Sequence, residues 1–351
     1  MDLVRLIPSA EAIPSPWGWF EALLLLTLAL HLLFMNLAVG SAILAFAGRM
    51  GGARSGPGPE LARELGHRAP TFLAFTINLG VAPLLFVQVV YGQMLYTSSV
   101  LMAGWWLSAI AALIIGYYGL YAHDARFDSA PGLSRLALAV SVALLLYTGF
   151  LLSTNMTLML RPQAWLAYMD HPDGGLLNLS DPTMPARWMH TILAAPAVAG
   201  LYAALLGKKR NRPDWTAWGL RWFTRVTMIQ VLAGALVLGT QPRDVLLALM
   251  GRDPLATAVL AAGVAVGLAA LWAGLQGRPA AAAWLTVGAV VLMTVNRGQV
   301  RLLTLAPVFT PASLPVQAET SPLLLFVASL AVGLALVGYM LKLYAKSAAG
   351  R

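Results

Sequence analysis

Nine continuous apolar runs, most of them about twenty residues or longer, divide this chain and set what it can fold into. Hydrocarbon offers the backbone no hydrogen-bond partner, so a chain crossing a bilayer must do so as helices or as a closed barrel. Barrel strands are about ten residues long and alternate in polarity; these runs are longer and do not alternate. The reading is an all-α integral membrane protein, a single transmembrane domain over residues 1–351 with about nine spans. The spans are expected at approximately 18–47, 72–97, 101–122, 134–160, 187–207, 216–240, 255–275, 279–295 and 321–344. Composition agrees, with 11% charged residues against about a quarter in soluble domains.

The first run follows Pro14 and Pro16, with Trp17 and Trp19 at an interface, and is too long for a signal peptide. Val245 to Met250 reads as a short interfacial turn, and the segment from Thr304 to Pro322 as an extended loop. Gly263 and Gly267 form a GxxxG in the seventh run, read as ordinary helix packing.

Zero cysteines exclude disulfides, thiolate zinc sites, cysteine-held iron–sulfur clusters and cysteine-attached haem. The net charge of +9 sits in loops between apolar runs, so it reads as a topology signal rather than nucleic-acid binding. With the N-terminus outside, 16 of the 23 Lys and Arg fall on the inner side and 7 on the outer. The positive-inside rule therefore gives an N-out, C-in topology, and an odd number of spans agrees with termini on opposite sides.

Chemistry is expected where polar groups are expensive. Of the five histidines, His67, His123 and His171 read as solvated loop residues. His31 lies inside the first run and His190 near the outer end of the fifth. Ionisable residues at membrane depth are rare and usually functional, and imidazole is the commonest metal ligand. From chemistry alone, each can be a haem or metal ligand or a hydrogen-bonded structural histidine. Glu21 and Asn36 are the other polar groups of the first run, and no carboxylate pair lies deep enough for a proton relay or metal cage.

Six segments occur in the order of one family. His31 in HLLFMNLAVGSAILAF, the run INLGVAPLLFVQVVYG, the exit GYYGLYAHD, Asn155 in STNMTLMLRP, His190 in RWMHTILAAPAVAG, and MTVNRGQVR together resemble subunit I of the cytochrome bd-type oxidases. The resemblance covers most of the chain and implies a nine-helix, N-out bundle. It implies haem b as cofactor, with His31 matching a ligand of the high-spin haem pair and His190 the low-spin haem ligand. Arg187 and Arg297 match basic residues near the haems.

The departures bear on function. The third run, GWWLSAIAALIIG, lacks the family's acidic residues, and Thr294 stands where a ligating glutamate is expected. Only QPRDVLLALMGRD joins the sixth and seventh runs, where the oxidases carry a long quinol-binding loop. No Met lies at the start of the seventh run to face His190; Met228, Met250 and Met293 are the candidate second ligands, each also readable as packing. The expectation is a divergent membrane cytochrome b of the bacterial cytoplasmic (inner) membrane. It would work with other membrane subunits and exchange electrons with a periplasmic c-type cytochrome or iron–sulfur subunit. The alternatives are a haem-free anchoring subunit, and a terminal oxygen reductase with a non-quinol donor acting at a five-coordinate haem on His31. A transporter is expected to show internal repeats and interrupted helices, and no repeat is visible.

Overall fold

The computed structural model describes residues 3–50, 58–170 and 172–349. His171, Arg54 and Arg351, which the sequence reading places in loops and at the C-terminus, lie outside the described residues. Among the described residues, nine helices are long and apolar enough to cross a membrane, and the protein is an all-α, multi-pass membrane bundle. They are α1 Trp17–Met50, α2 Gly58–Leu101, α3 Ala103–Ala125, α4 Pro131–Leu158, α5 Thr183–Lys209, α6 Pro213–Gly239, α7 Pro254–Leu275, α8 Pro279–Leu305 and α9 Thr320–Ala349. Each matches one expected run, and most reach beyond it.

Local sequence sets the boundaries. Pro opens α4, α6, α7 and α8, where its missing N–H costs nothing. Asp253 caps α7 by accepting from the amides of Leu255 at 3.0 Å and Ala256 at 3.1 Å. Gly277 closes α7 at φ +71°, a left-handed conformation suited to glycine, and Arg278 N–H then reaches Ala273 O at 3.0 Å. The α7–α8 hairpin is tight for that reason. Between α6 and α7, Arg243–Leu247 forms a short helix and Ala248–Arg252 a π turn, matching the expected interfacial turn.

Two helices differ from the sequence reading in ways that matter. Helix α2 has 44 residues, about 66 Å of rise, so one end must project beyond a hydrocarbon core of about 30 Å. It contains Pro70 and Pro83 and breaks helical geometry at Tyr91, with φ −125° and ψ 23°. Helix α8 runs ten residues past the expected end at 295, to Leu305. Arg297 and Arg301 are therefore helical side chains of the bundle and not outer-loop cations. The loop that follows holds a 3₁₀ turn at Pro311–Ser313 and pairs with the N-terminal segment. Ile13 donates to Pro315 O at 2.9 Å and accepts from Gln317 N–H at 3.0 Å. Both segments thus lie on one face, as the eight crossings between them require.

Small residues let the helices meet closely, the usual device where lipid leaves no hydrophobic drive between helices. A Cβ on Gly40 of α1 would overlap the Ala195 carbonyl of α5. A Cβ on Gly200 of α5 would stand 2.8 Å from Gly219 O of α6. In the GxxxG pair, Gly263 receives Met293 of α8 while Gly267 meets nothing, so only one of the two glycines packs. Helix α9 stands apart, with every described side chain of its span exposed.

Candidate functional site

Helices α1, α5 and α8 meet at the bundle centre, and they carry the polar side chains singled out in the sequence. His31 projects from α1 toward α2, where its Nδ1 lies 2.9 Å from the Thr76 carbonyl. A carbonyl only accepts, so this bond puts the proton on Nδ1 and leaves the Nε2 lone pair free. Nε2 has no protein partner and retains accessible surface. The ring lies close against Gly80, where a Cβ would come within 2.8 Å of Nδ1. Helix α2 therefore supplies both the carbonyl that fixes the tautomer and the gap that admits the ring.

His190 sits on α5 and faces α6. Its backbone carbonyl accepts from Gln230 Nε2 at 3.4 Å, and a Cβ on Gly234 would stand 3.3 Å from its Cε1. Its Nδ1 is buried without a partner. One turn earlier on α5, Arg187 donates to Gln241 Oε1 at 3.0 Å, which is itself anchored on Val237 O at 2.8 Å. Trp188 stacks edge-on against Phe150 at 5.8 Å, and its indole N–H is also without a partner.

Arg297 on α8 lies deep among protein atoms yet is exposed. A side chain surrounded by protein that still keeps accessible surface borders unfilled space and not packed core. It lies within electrostatic reach of His31, Arg187 and Arg301, so the structure gathers His31, Arg187 and Arg297 at one centre, with His190 one helical turn from Arg187. On the same helix, buried Asn296 Nδ2 and Gln299 Oε1 lack partners among the described residues, Gln299 on the face away from Arg297. An unsatisfied buried polar atom costs about 1–3 kcal/mol, so a water or polar group reaching either one would be held.

A second polar cluster was not foreseen. Arg301 donates to Glu21 Oε1 at 2.6 Å, and Tyr91 donates to Oε2 at 3.0 Å. The guanidinium also lies over the Tyr91 ring at 4.7 Å. Gly298 leaves room for the carboxylate, since a Cβ there would stand 3.2 Å from Oε1. This cluster joins α1, α2 and α8. The readable signal was Glu21 inside the first apolar run; its partner Arg301, 280 residues on, lies past the end of the expected eighth run, and nothing in the sequence brings the two together. The charge balance of the centre follows. Three guanidiniums face one paired carboxylate, with Asp181, in reach of Arg187, the nearest addition. The excess is two positive charges, or one with Asp181 counted, and a bound anion would offset it.

The remaining candidates are placed elsewhere. Met228 is half exposed and lies on the face of α6 opposite Gln230, which bonds to His190. Met250 is 62% exposed in the π turn. Met293 rests its methyl on Gly263 of α7, a packing role. Thr294 is buried and donates to Val290 O at 2.8 Å. Asn155 ties α4 to α2 through Ser98 and Ser99, both at 3.3 Å. His67 is exposed and bridges Asp124 at 2.9 Å, as a solvated histidine should. His123 corrects the sequence reading: it is fully buried, held by Ser134 through Oγ at 2.8 Å and the carbonyl at 3.0 Å. Helix α4 covers it, which its position near a loop did not reveal. Among the described residues no three His, Asp or Glu side chains form a metal cage. No protein-family model matches the chain, and no curated protein matches it.

Proposed function

We propose that the chain is a membrane-embedded b-type cytochrome, related to subunit I of the cytochrome bd-type oxidases. It passes electrons through haem within a respiratory or electron-transfer complex of the bacterial cytoplasmic membrane. The observation that carries this reading is His31: a tautomer fixed by the Thr76 carbonyl, a free Nε2, and an adjoining opening lined by Arg297. A histidine ligand is ordinarily set in this way by a hydrogen bond on its other nitrogen.

The residues present fit haem b. His31 and His190 each offer a ring nitrogen without a protein partner, and Arg187 and Arg297 supply the charge that two propionates would balance. Haem held there supplies one-electron redox chemistry at a potential set by ligand, burial and nearby charge. The protein's own part is to orient the imidazoles, keep the centre dry and offset the propionate charge. The short turn from Pro242 to Asp253 leaves no long quinol loop, so electron exchange falls to another subunit, a periplasmic c-type cytochrome or iron–sulfur protein. The charge asymmetry puts the N-terminus on the periplasmic side.

One observation favours a second reading, a haem-free anchoring subunit: none of Met228, Met250 and Met293 is brought to His190 as a second ligand. A single experiment separates the two. Protein purified from haem-replete cells is expected to give a pyridine haemochrome spectrum of haem b. His190→Ala and His31→Ala are expected to remove different bands of the reduced-minus-oxidised spectrum. A colourless preparation supports the anchoring subunit, and two variants with unchanged spectra overturn the ligand assignment.

A further inference from the structure

Helix α6 carries two arginines on its outer surface that no described side chain engages. Arg221 and Arg225 are exposed, one turn apart, and form no ion pair or side-chain hydrogen bond among the described residues. Two other arginines at this end of the bundle are engaged. Arg212 holds Glu60 at 2.6 Å and Asp214 at 2.9 Å, and Arg210 holds Glu64 at 3.0 Å. Asp214, two turns before Arg221 on the same stripe, is therefore taken.

Depth makes the pair informative. From Arg225 to the end of α6 at Gly239 the helix rises about 21 Å, short of a hydrocarbon core of about 30 Å. With Gly239 at the far boundary, Arg225 sits about 9 Å and Arg221 about 3 Å inside the near one, depths from which a long guanidinium side chain snorkels back to the headgroups. A neighbouring aromatic marks the same level. Gly274 of α7 meets Phe223 and Thr224, which sets Trp272, 58% exposed, level with Arg225. Exposed tryptophans gather at the headgroup layer. Beyond Arg225 the same stripe turns apolar, with Met228, Ile229, Leu232 and Leu236 all exposed.

We infer that this stripe of α6 binds an anionic phospholipid, its phosphate held between Arg221 and Arg225 and its acyl chains laid along Met228, Ile229, Leu232 and Leu236. The order of the stripe, cationic then apolar, follows the order of headgroup and tail. Two guanidiniums a turn apart suit a phosphate, which accepts from both, and basic sites between or beside spanning helices take anionic headgroups. The site lies on the face of α6 opposite Gln230 and His190 and is independent of any haem.

Native mass spectrometry of the delipidated full chain, titrated with phosphatidylglycerol or phosphatidylcholine, tests this. R221Q/R225Q is expected to weaken phosphatidylglycerol retention about thirtyfold, and R225Q alone about fivefold. K208Q/K209Q removes the same charge from the adjoining α5–α6 turn and is expected to change it less than about twofold. R221K/R225K, which keeps the charge, is expected to retain most of the binding. The inference is overturned if R225Q and R221Q/R225Q retain the lipid as the parent does. Equal loss in K208Q/K209Q, or equal retention of phosphatidylcholine by the parent, overturns it as well.

Discussion

Arg301 of α8 and Glu21 of α1 form a 2.6 Å ion pair with both side chains more than nine-tenths buried. Their charges are out of water, so neither can be removed cheaply alone. Breaking such a pair by deleting one partner costs about 3–5 kcal/mol, while replacing both with apolar groups is often near neutral. Glu21→Gln is expected to destabilise the protein by about that amount, and Glu21→Leu with Arg301→Leu by less than either single change. Tyr91→Phe removes one hydrogen bond to the carboxylate and is expected to cost about 1.5–3 kcal/mol. Unfolding in mixed micelles checks these variants together with the two single leucine changes, and additive losses in the double variant would contradict the pairing.

Gly80 is where α2 admits the His31 ring. A methyl there would press within 2.8 Å of Nδ1, closer than carbon and nitrogen tolerate, so the ring must turn and its bond to Thr76 O must break. Gly80→Ala is expected to alter the spectral signal removed by His31→Ala and to leave the His190 signal in place. Difference spectra of the three variants decide this.

Arg297 has no carboxylate partner among the described residues and faces the central opening. Removing a positive charge near a haem stabilises its oxidised, more positive form. Arg297→Gln is expected to lower the midpoint potential of the nearer haem by about 50–100 mV, the size of one charge acting over several ångströms at an effective dielectric near 20. Redox titration of the purified variant measures it; a rise in potential contradicts the placement.

The α1–α5 crossing depends on Gly40. A Cβ there would overlap the Ala195 carbonyl, and a backbone carbonyl cannot swing aside as a side chain can. Gly40→Ala is expected to cost at least about 1–3 kcal/mol, the usual range for overpacking. Gly267→Ala, with nothing within 4 Å of the added atom, is expected to leave stability unchanged. Thermal melts of the two variants side by side test the contrast.

The expected run at 279–295 shows where reading the chain reaches its limit. Hydropathy falls after Asn296, so the helix was ended there, yet α8 continues to Leu305 because Glu21, on the first helix, offsets Arg301. His123 escaped in the same way: its position beside charged Asp124 reads as surface, and α4 with Ser134 encloses it. His31 and His190 were legible because a polar group in an apolar run stands out wherever its partners are, and Arg187 and Arg297 were singled out only through the family resemblance. Their gathering at one opening was not legible.

The sequence by itself determined the number of crossings, because hydrocarbon denies the backbone any partner except its own helix and each crossing needs its own apolar run. It also determined which polar side chains were costly enough to matter. Only the tertiary structure decided which of them share a site and which methionines do not. Helix neighbours are chosen by close contacts such as Gly40 on Ala195 and Gly219 on Gly200, and by Glu21 finding Arg301 across the bundle. Those contacts depend on shape and on charge pairing between distant segments, and no local pattern along one helix contains them.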